Sequence, residues 1–162
     1  VGGSGEWTLS IGGQDDDFPR FSVQNSSGTS YSITSNEPLT VGENAEWHHL
    51  VGVREGTSTR LYLDNELVAY RDDVPDGMAV RNLSYPLRMG LNNHLGGTVY
   101  PVKAVFDDLQ IANHALTAGH VAWMYNNPGL PIPEPTSGLL LLCAAGAYVL
   151  LTPGRRRQRA AG

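Results

Sequence analysis

The first residues that invite a catalytic or metal-binding reading are the adjacent histidines His48-His49. In an extended strand, neighbouring side chains leave on opposite faces, so the two rings are not expected to reach one ion. No third ligand stands nearby, and the His-x-x-x-His spacing of a helical zinc site is absent. The pair therefore reads as a packing and hydrogen-bonding feature. Retaining glycoside hydrolysis needs two carboxylates about 5 Å apart. Glu43 and Glu46 fall in an expected loop, and Asp107-Asp108 point oppositely if their strand is regular. Catalysis has no support from these pairs, and the chain is expected not to be an enzyme.

Calcium is the better candidate for the acidic residues, because it takes about six to eight oxygens from carboxylates and loop carbonyls. Asp15, Asp16 and Asp17 form one candidate loop; Asp72, Asp73 and Asp76 form another. The competing reading is that each charge run is simply a solvated face. Cys143, the one cysteine, lies inside an apolar run, where a buried thiol is expected rather than a nucleophile, and it excludes an intrachain disulfide. No Gly-x-Ser-x-Gly elbow, phosphate loop or dinucleotide fingerprint occurs. Aromatic side chains offer a different chemistry, stacking on sugar rings. Tyr62 and Tyr70 would face outward if Leu61, Leu63 and Val51 face inward, Tyr85 and Tyr100 sit in loops, and Trp7, Trp47 and Trp123 are expected to be buried.

The elements that must position these residues are short strands. Glu6-Trp7-Thr8-Leu9-Ser10-Ile11 alternates ahead of Gly12-Gly13, and residues 14–17 read as a polar loop. Phe21-Ser22-Val23-Gln24 and Tyr31-Ser32-Ile33-Thr34 flank the turn Asn25-Ser26-Ser27-Gly28 and predict a hairpin. Residues 47–54 form the next strand, with Trp47, His49, Val51 and Val53 on its core face. Residues 59–63 and 66–70 surround Asp64-Asn65, a pair that tolerates left-handed backbone and suits a tight hairpin. Residues 72–86 read as a loop, and residues 87–90 and 104–111 as later strands. Thr117 caps a predicted short helix over about residues 118–125, ended by Asn126-Asn127-Pro128-Gly129. Strands at such spacing, without crossover helices, predict an all-β antiparallel sandwich.

Composition agrees, with 19 Gly, 10 Pro and 17% charged residues among 162. Residues 1–154 carry 7 basic and 16 acidic side chains, whereas residues 155–162 carry four arginines and no acid. An acidic body argues against nucleic acid as a partner, since phosphate contacts need positive charge. The opening Val1-Gly2-Gly3-Ser4-Gly5, without an initiator Met or signal peptide, is expected to continue a longer chain, so the sandwich is expected to be incomplete at its N-terminus.

The last part of the chain has a different character. Four regions are expected: a sandwich over 1–129, a proline-rich linker over 130–137, an apolar segment over 138–154 and an arginine-rich tail over 155–162. A helix over residues 136–153 would span roughly 27 Å at ~1.5 Å per residue, close to the hydrocarbon thickness of a bilayer. Arg155, Arg156, Arg157 and Arg159 would then sit on the cytoplasmic side, with the globular body outside. The competing reading is a buried C-terminal helix, which the lack of charge on any face opposes.

Pro133-Glu134-Pro135, the apolar run and the arginines, in that order, resemble the PEP-CTERM sorting signal of exopolysaccharide-producing Gram-negative bacteria. The likeness covers residues 133–159, with Thr152-Pro153-Gly154 as an unusual insertion before the arginines. It implies retention in the inner membrane, recognition of Pro133, Glu134 and Pro135 by an exosortase-type processing enzyme, and release to the cell surface or matrix. The run from Trp47 to Val53 followed by Leu61-Tyr62-Leu63-Asp64-Asn65 resembles laminin-G-like, concanavalin A-like jelly-roll domains, as does Phe106-Asp107-Asp108-Leu109-Gln110-Ile111 with its following helix. Asn65 stands where that family more often has glycine, and His120 where an acidic residue is commoner. This likeness covers about residues 5–127 and implies a jelly-roll sandwich that binds an extracellular polysaccharide or a surface protein. The Glu-x-Asp-x-x-Glu strand of its laminarinase-like relatives is absent. Two alternatives stay open: a glycan-processing enzyme whose carboxylates lie upstream, and a purely structural envelope protein.

Overall fold

The computed structural model describes residues 7–13, 16–40, 45–81, 89, 91–92, 100–101 and 104–133. They belong almost entirely to one compact unit, Val1–Leu130. Strands β1 (Trp7–Gly13), β2 (Asp16–Gln24) and β3 (Ser30–Thr34) form one antiparallel sheet in that order. Strands β4 (Leu50–Glu55), β5 (Ser58–Leu63) and β6 (Glu66–Arg71) form a second. A short pair, β7 (Leu91–Asn92) and β8 (Tyr100–Pro101), and one helix, α1 (Ala118–Asn126), complete the described elements.

The turns follow from residue type. Asp64 and Asn65 both hold positive φ, 49° and 71°, and Leu63 pairs with Glu66 across them. This two-residue geometry matches the right-handed twist of the strands it joins. Gly56, at φ +54°, does the corresponding work between Glu55 and Ser58. Asn25 accepts the Thr29 N–H through its side chain at 2.8 Å and closes the β2–β3 turn.

The two sheets face each other in a β-sandwich arrangement, with β2 over β5 and β3 over β5 and β6. Phe21, Val23 and Ile33 from the first sheet meet Leu61 of β5 and Val74, which follows β6. Burying each such side chain contributes roughly 1.5–3 kcal/mol, so these few residues hold the sheets together. Gly52 lies directly under the Phe21 ring, and its lack of a side chain is what lets the sheets approach there.

Several expectations need correction. Val51 and Val53 are buried, but register pairs Val51 with Tyr62 and Gly52 with Leu61. Paired residues share a face, so Leu61 points to the other sheet while Val51, Val53 and Tyr62 point away from it. Tyr62 is accordingly buried rather than outward, and a bulge between Leu61 and Tyr62 re-aims the strand. Trp47 precedes the ladder, which starts at Leu50, and is 69% exposed; Trp7, at the sheet edge, is exposed as well. Asp16 and Asp17 open β2 instead of lying in a loop, because pairing runs to Gly13–Asp16. Residues 104–111 form no strand: Asp108 takes a left-handed conformation at φ 52°, which breaks the extended run. Met89 stands in a bend, while Leu87, Arg88 and Gly90 lie outside the described residues.

Helix α1 starts where expected. Thr117 accepts the His120 N–H, and His120 Nδ1 accepts the Thr117 N–H, a reciprocal capping box. Val121 is fully buried and Leu116 nearly so. The His49 ring meets Tyr125 at 5.9 Å, a contact between α1 and the chain entering β4.

Candidate binding cleft

β3 and β6 are the edge strands of their sheets, and they lie beside each other. Between them opens a cleft of about 800 Å³. It is lined from the β3 side by Ser32, Ile33, Thr34 and Asn36, and from β6 and the residues after it by Leu67, Val68, Ala69, Tyr70, Arg71, Asp72 and Asp73. Tyr70 is half exposed, so an aromatic ring is available to a ligand beside hydroxyl, amide and carboxylate groups.

Arg71 clasps this edge. Its Nη1 donates to the Ser32 carbonyl at 3.0 Å, linking β6 to β3, and its guanidinium lies 5.4 Å over the Tyr31 ring. Nε and Nη2 donate to the two carboxylate oxygens of Asp73 at 2.6 and 2.9 Å. This fork-shaped pair is directional as well as charged. The hydrogen bond from Arg71 holds the Asp73 carboxyl below its ordinary value, and the same bond raises the Arg71 guanidinium.

The aspartates proposed from sequence are thus placed as follows. Asp72 and Asp73 sit on the cleft wall, and Asp73 has both oxygens engaged by Arg71. Asp76 accepts the Gly77 N–H at 2.9 Å in the adjoining turn. Asp17 is exposed on β2, nothing is described of the Asp16 side chain, and Asp15 lies outside the described residues. Among the described residues, no group of three or more His, Cys, Asp or Glu is arranged to hold a metal ion. Pro133 is exposed; Glu134, Pro135, Arg155, Arg156, Arg157, Arg159 and the apolar run 138–154 lie outside the described residues. No described helix is long and apolar enough to cross a membrane.

A second polar cluster depends on a residue that sequence reading missed. Asp64 accepts from His48 Nδ1 at 2.7 Å through Oδ2 and from the His49 N–H at 2.8 Å through Oδ1. Its own N–H donates to the His49 carbonyl at 2.9 Å. The turn residue therefore anchors the chain entering β4. The signal was present, since pairing Leu50 with Leu63 carries the next residue, Asp64, opposite His49. His48 thus hydrogen-bonds through its ring, and His49 through its backbone, with a ring contact to Tyr125.

Residues 1–122 match the family described as the concanavalin A-like lectin/glucanases superfamily, in its laminin G form. A crystal structure of residues 221–444 of an S-layer domain-containing protein from Clostridium thermocellum is similar to this chain, with 21% identity and a TM-score of 0.45. The likeness covers 68% of this chain and 52% of that one, so the chain spans about half the length of that solved protein. No curated protein matches.

Proposed function

Because this chain belongs to the concanavalin A-like lectin/glucanase superfamily, we propose that its sandwich is a non-catalytic recognition module for a glycan, bound in the β3–β6 cleft. The observation that carries this reading is the open polar cleft with Tyr70 on its wall. Sugar rings present hydroxyls to groups such as Ser32, Thr34, Asn36 and Asp72, and a C–H face to an aromatic ring. In this reading the two sheets are the described part of a jelly roll spanning 1–129. The order of Pro133-Glu134-Pro135, the apolar segment 138–154 and the arginines supports delivery as a PEP-CTERM-type protein. The tail anchors the chain in the inner membrane with the sandwich outside, until an exosortase-type enzyme processes it. Polysaccharide of the cell surface or matrix is then the natural ligand.

The test is a glycan-array screen of the full chain in mild detergent, with calcium and again with chelator, comparing Tyr70→Ala. Selective binding weakened roughly three- to tenfold by Tyr70→Ala, the range of one aromatic contact, is the expected result. Loss with chelator adds calcium to the mechanism; insensitivity removes it. Absence of binding by folded protein refutes the glycan reading. It favours a protein ligand, for which the exposed Val105, Phe106, Leu109 and Ile111 are the specific observation.

A further inference from the structure

Helix α1 is held at both ends by histidines. At its start, the Thr117 N–H donates to His120 Nδ1 at 3.3 Å, and His120 returns its N–H to Thr117 Oγ1 at 3.2 Å. A capping box ordinarily uses Glu or Gln at this position, whose acceptor survives mild acid. The His120 ring can accept only through an unprotonated nitrogen. At the other end, the His49 ring packs on Tyr125, and His49 Nδ1 is buried without a hydrogen-bond partner among the described residues. Between these two ends Val121 is the single buried residue of the helix.

We propose that His49 and His120 form an acid-sensitive latch, which keeps α1 capped and seated against the chain entering β4 while both rings are neutral and loosens it when they are protonated. At His120, a proton removes the acceptor for Thr117 and places positive charge at a helix N-terminus, where the macrodipole opposes it. The group facing it is the His114 ring, edge-on at 6.2 Å, and the first turn holds no acidic residue to compensate. At His49, a proton places charge between α1 and the chain entering β4. The groups facing it are Tyr125 from α1, His48 beside it and Asp64 from the β5–β6 turn. Burial lowers the affinity of His49 for a proton, and the weaker attraction of Asp64 offsets this only in part.

The direction of the pH effect follows. The folded state binds this proton less tightly than the unfolded state does, so the docked helix is fully stabilised above the ordinary histidine value of 6.5. It loses stability as pH falls from there toward the lowered folded value.

Hydrogen exchange of the full chain at pH 7.5 and 5.0, corrected for intrinsic rates, tests the latch. Protection of the 118–126 amides is expected to fall about tenfold or more relative to β4–β6. In the double variant His49→Phe, His120→Gln the ratio should stay constant, because Phe keeps the ring contact and Gln keeps the cap acceptor. Equal protection at both pH values, a loss spread evenly over β4–β6, or an undiminished loss in the double variant overturns the proposal. Should the double variant fail to fold, the wild-type profile and His120→Gln alone decide. The latch then predicts a loss confined to residues 118–126 and diminished in that single variant, and any other pattern overturns it.

Discussion

Replacing Gly52 by alanine tests whether the sandwich is assembled around one close contact. An ideal Cβ at position 52 would lie 2.7 Å from Phe21 Cγ and 2.8 Å from Cε2, and closer still to Cδ2. Favourable carbon–carbon contacts are about 3.5–4.0 Å, so the ring must retreat by roughly 1 Å. It has little room to do so, being packed with Val23, Ile33, Leu61 and Val74. Overpacking of this kind costs about 1–3 kcal/mol. That exceeds the ~0.5–1 kcal/mol by which alanine is otherwise preferred to glycine inside a strand. Gly52→Ala should therefore lower stability, by up to about 2 kcal/mol. Phe21→Ala alone should cost about 3–5 kcal/mol by leaving a cavity, but it removes all three clashing atoms. Adding Gly52→Ala to that background should then cost nothing, or stabilise slightly. The assay is urea unfolding of the four proteins, read as midpoint shifts at constant slope. Equal destabilisation by Gly52→Ala in both backgrounds, or a neutral effect in the wild type, would refute the contact as the reason glycine stands there.

Two further predictions concern the polar anchors. Asp64→Asn keeps a residue that tolerates left-handed backbone but leaves one oxygen for two donors, so it should cost about 1–3 kcal/mol in urea unfolding. Asn65→Gly should be neutral or stabilising in the same assay, showing that the cost belongs to the carboxylate rather than the turn. The Asp73 carboxyl should titrate below the ordinary aspartate range when followed by carbon NMR, and Arg71→Gln should move it back up. Its folded value being depressed, the Arg71–Asp73 pair contributes above the unfolded aspartate value, and the contribution is lost as pH falls through the depressed value. A midpoint unmoved by Arg71→Gln would remove the clasp from the argument.

Alternation, turn residues and a capping threonine were enough to predict the β2–β3 hairpin, the Asp64-Asn65 hairpin, helix α1 and the antiparallel class, because each depends on residues close together in the chain. The acidic body and the order of motifs in the tail are likewise properties of the sequence by itself. Which side of β4 and β5 meets the other sheet was not decided locally, since both faces carry large apolar residues. Only the register that pairs Gly52 with Leu61, and the fit of Phe21 over Gly52, settled it. Trp47 and Tyr62 exchange their expected environments for the same reason: burial depends on what lies across, not on residue type. The cleft itself exists only where β3 and β6, 36 residues apart at their starts and paired with different neighbours, are brought edge to edge. The bond from Arg71 to the Ser32 carbonyl is therefore a product of tertiary structure, because no spacing along the chain specifies two sheets packing face to face.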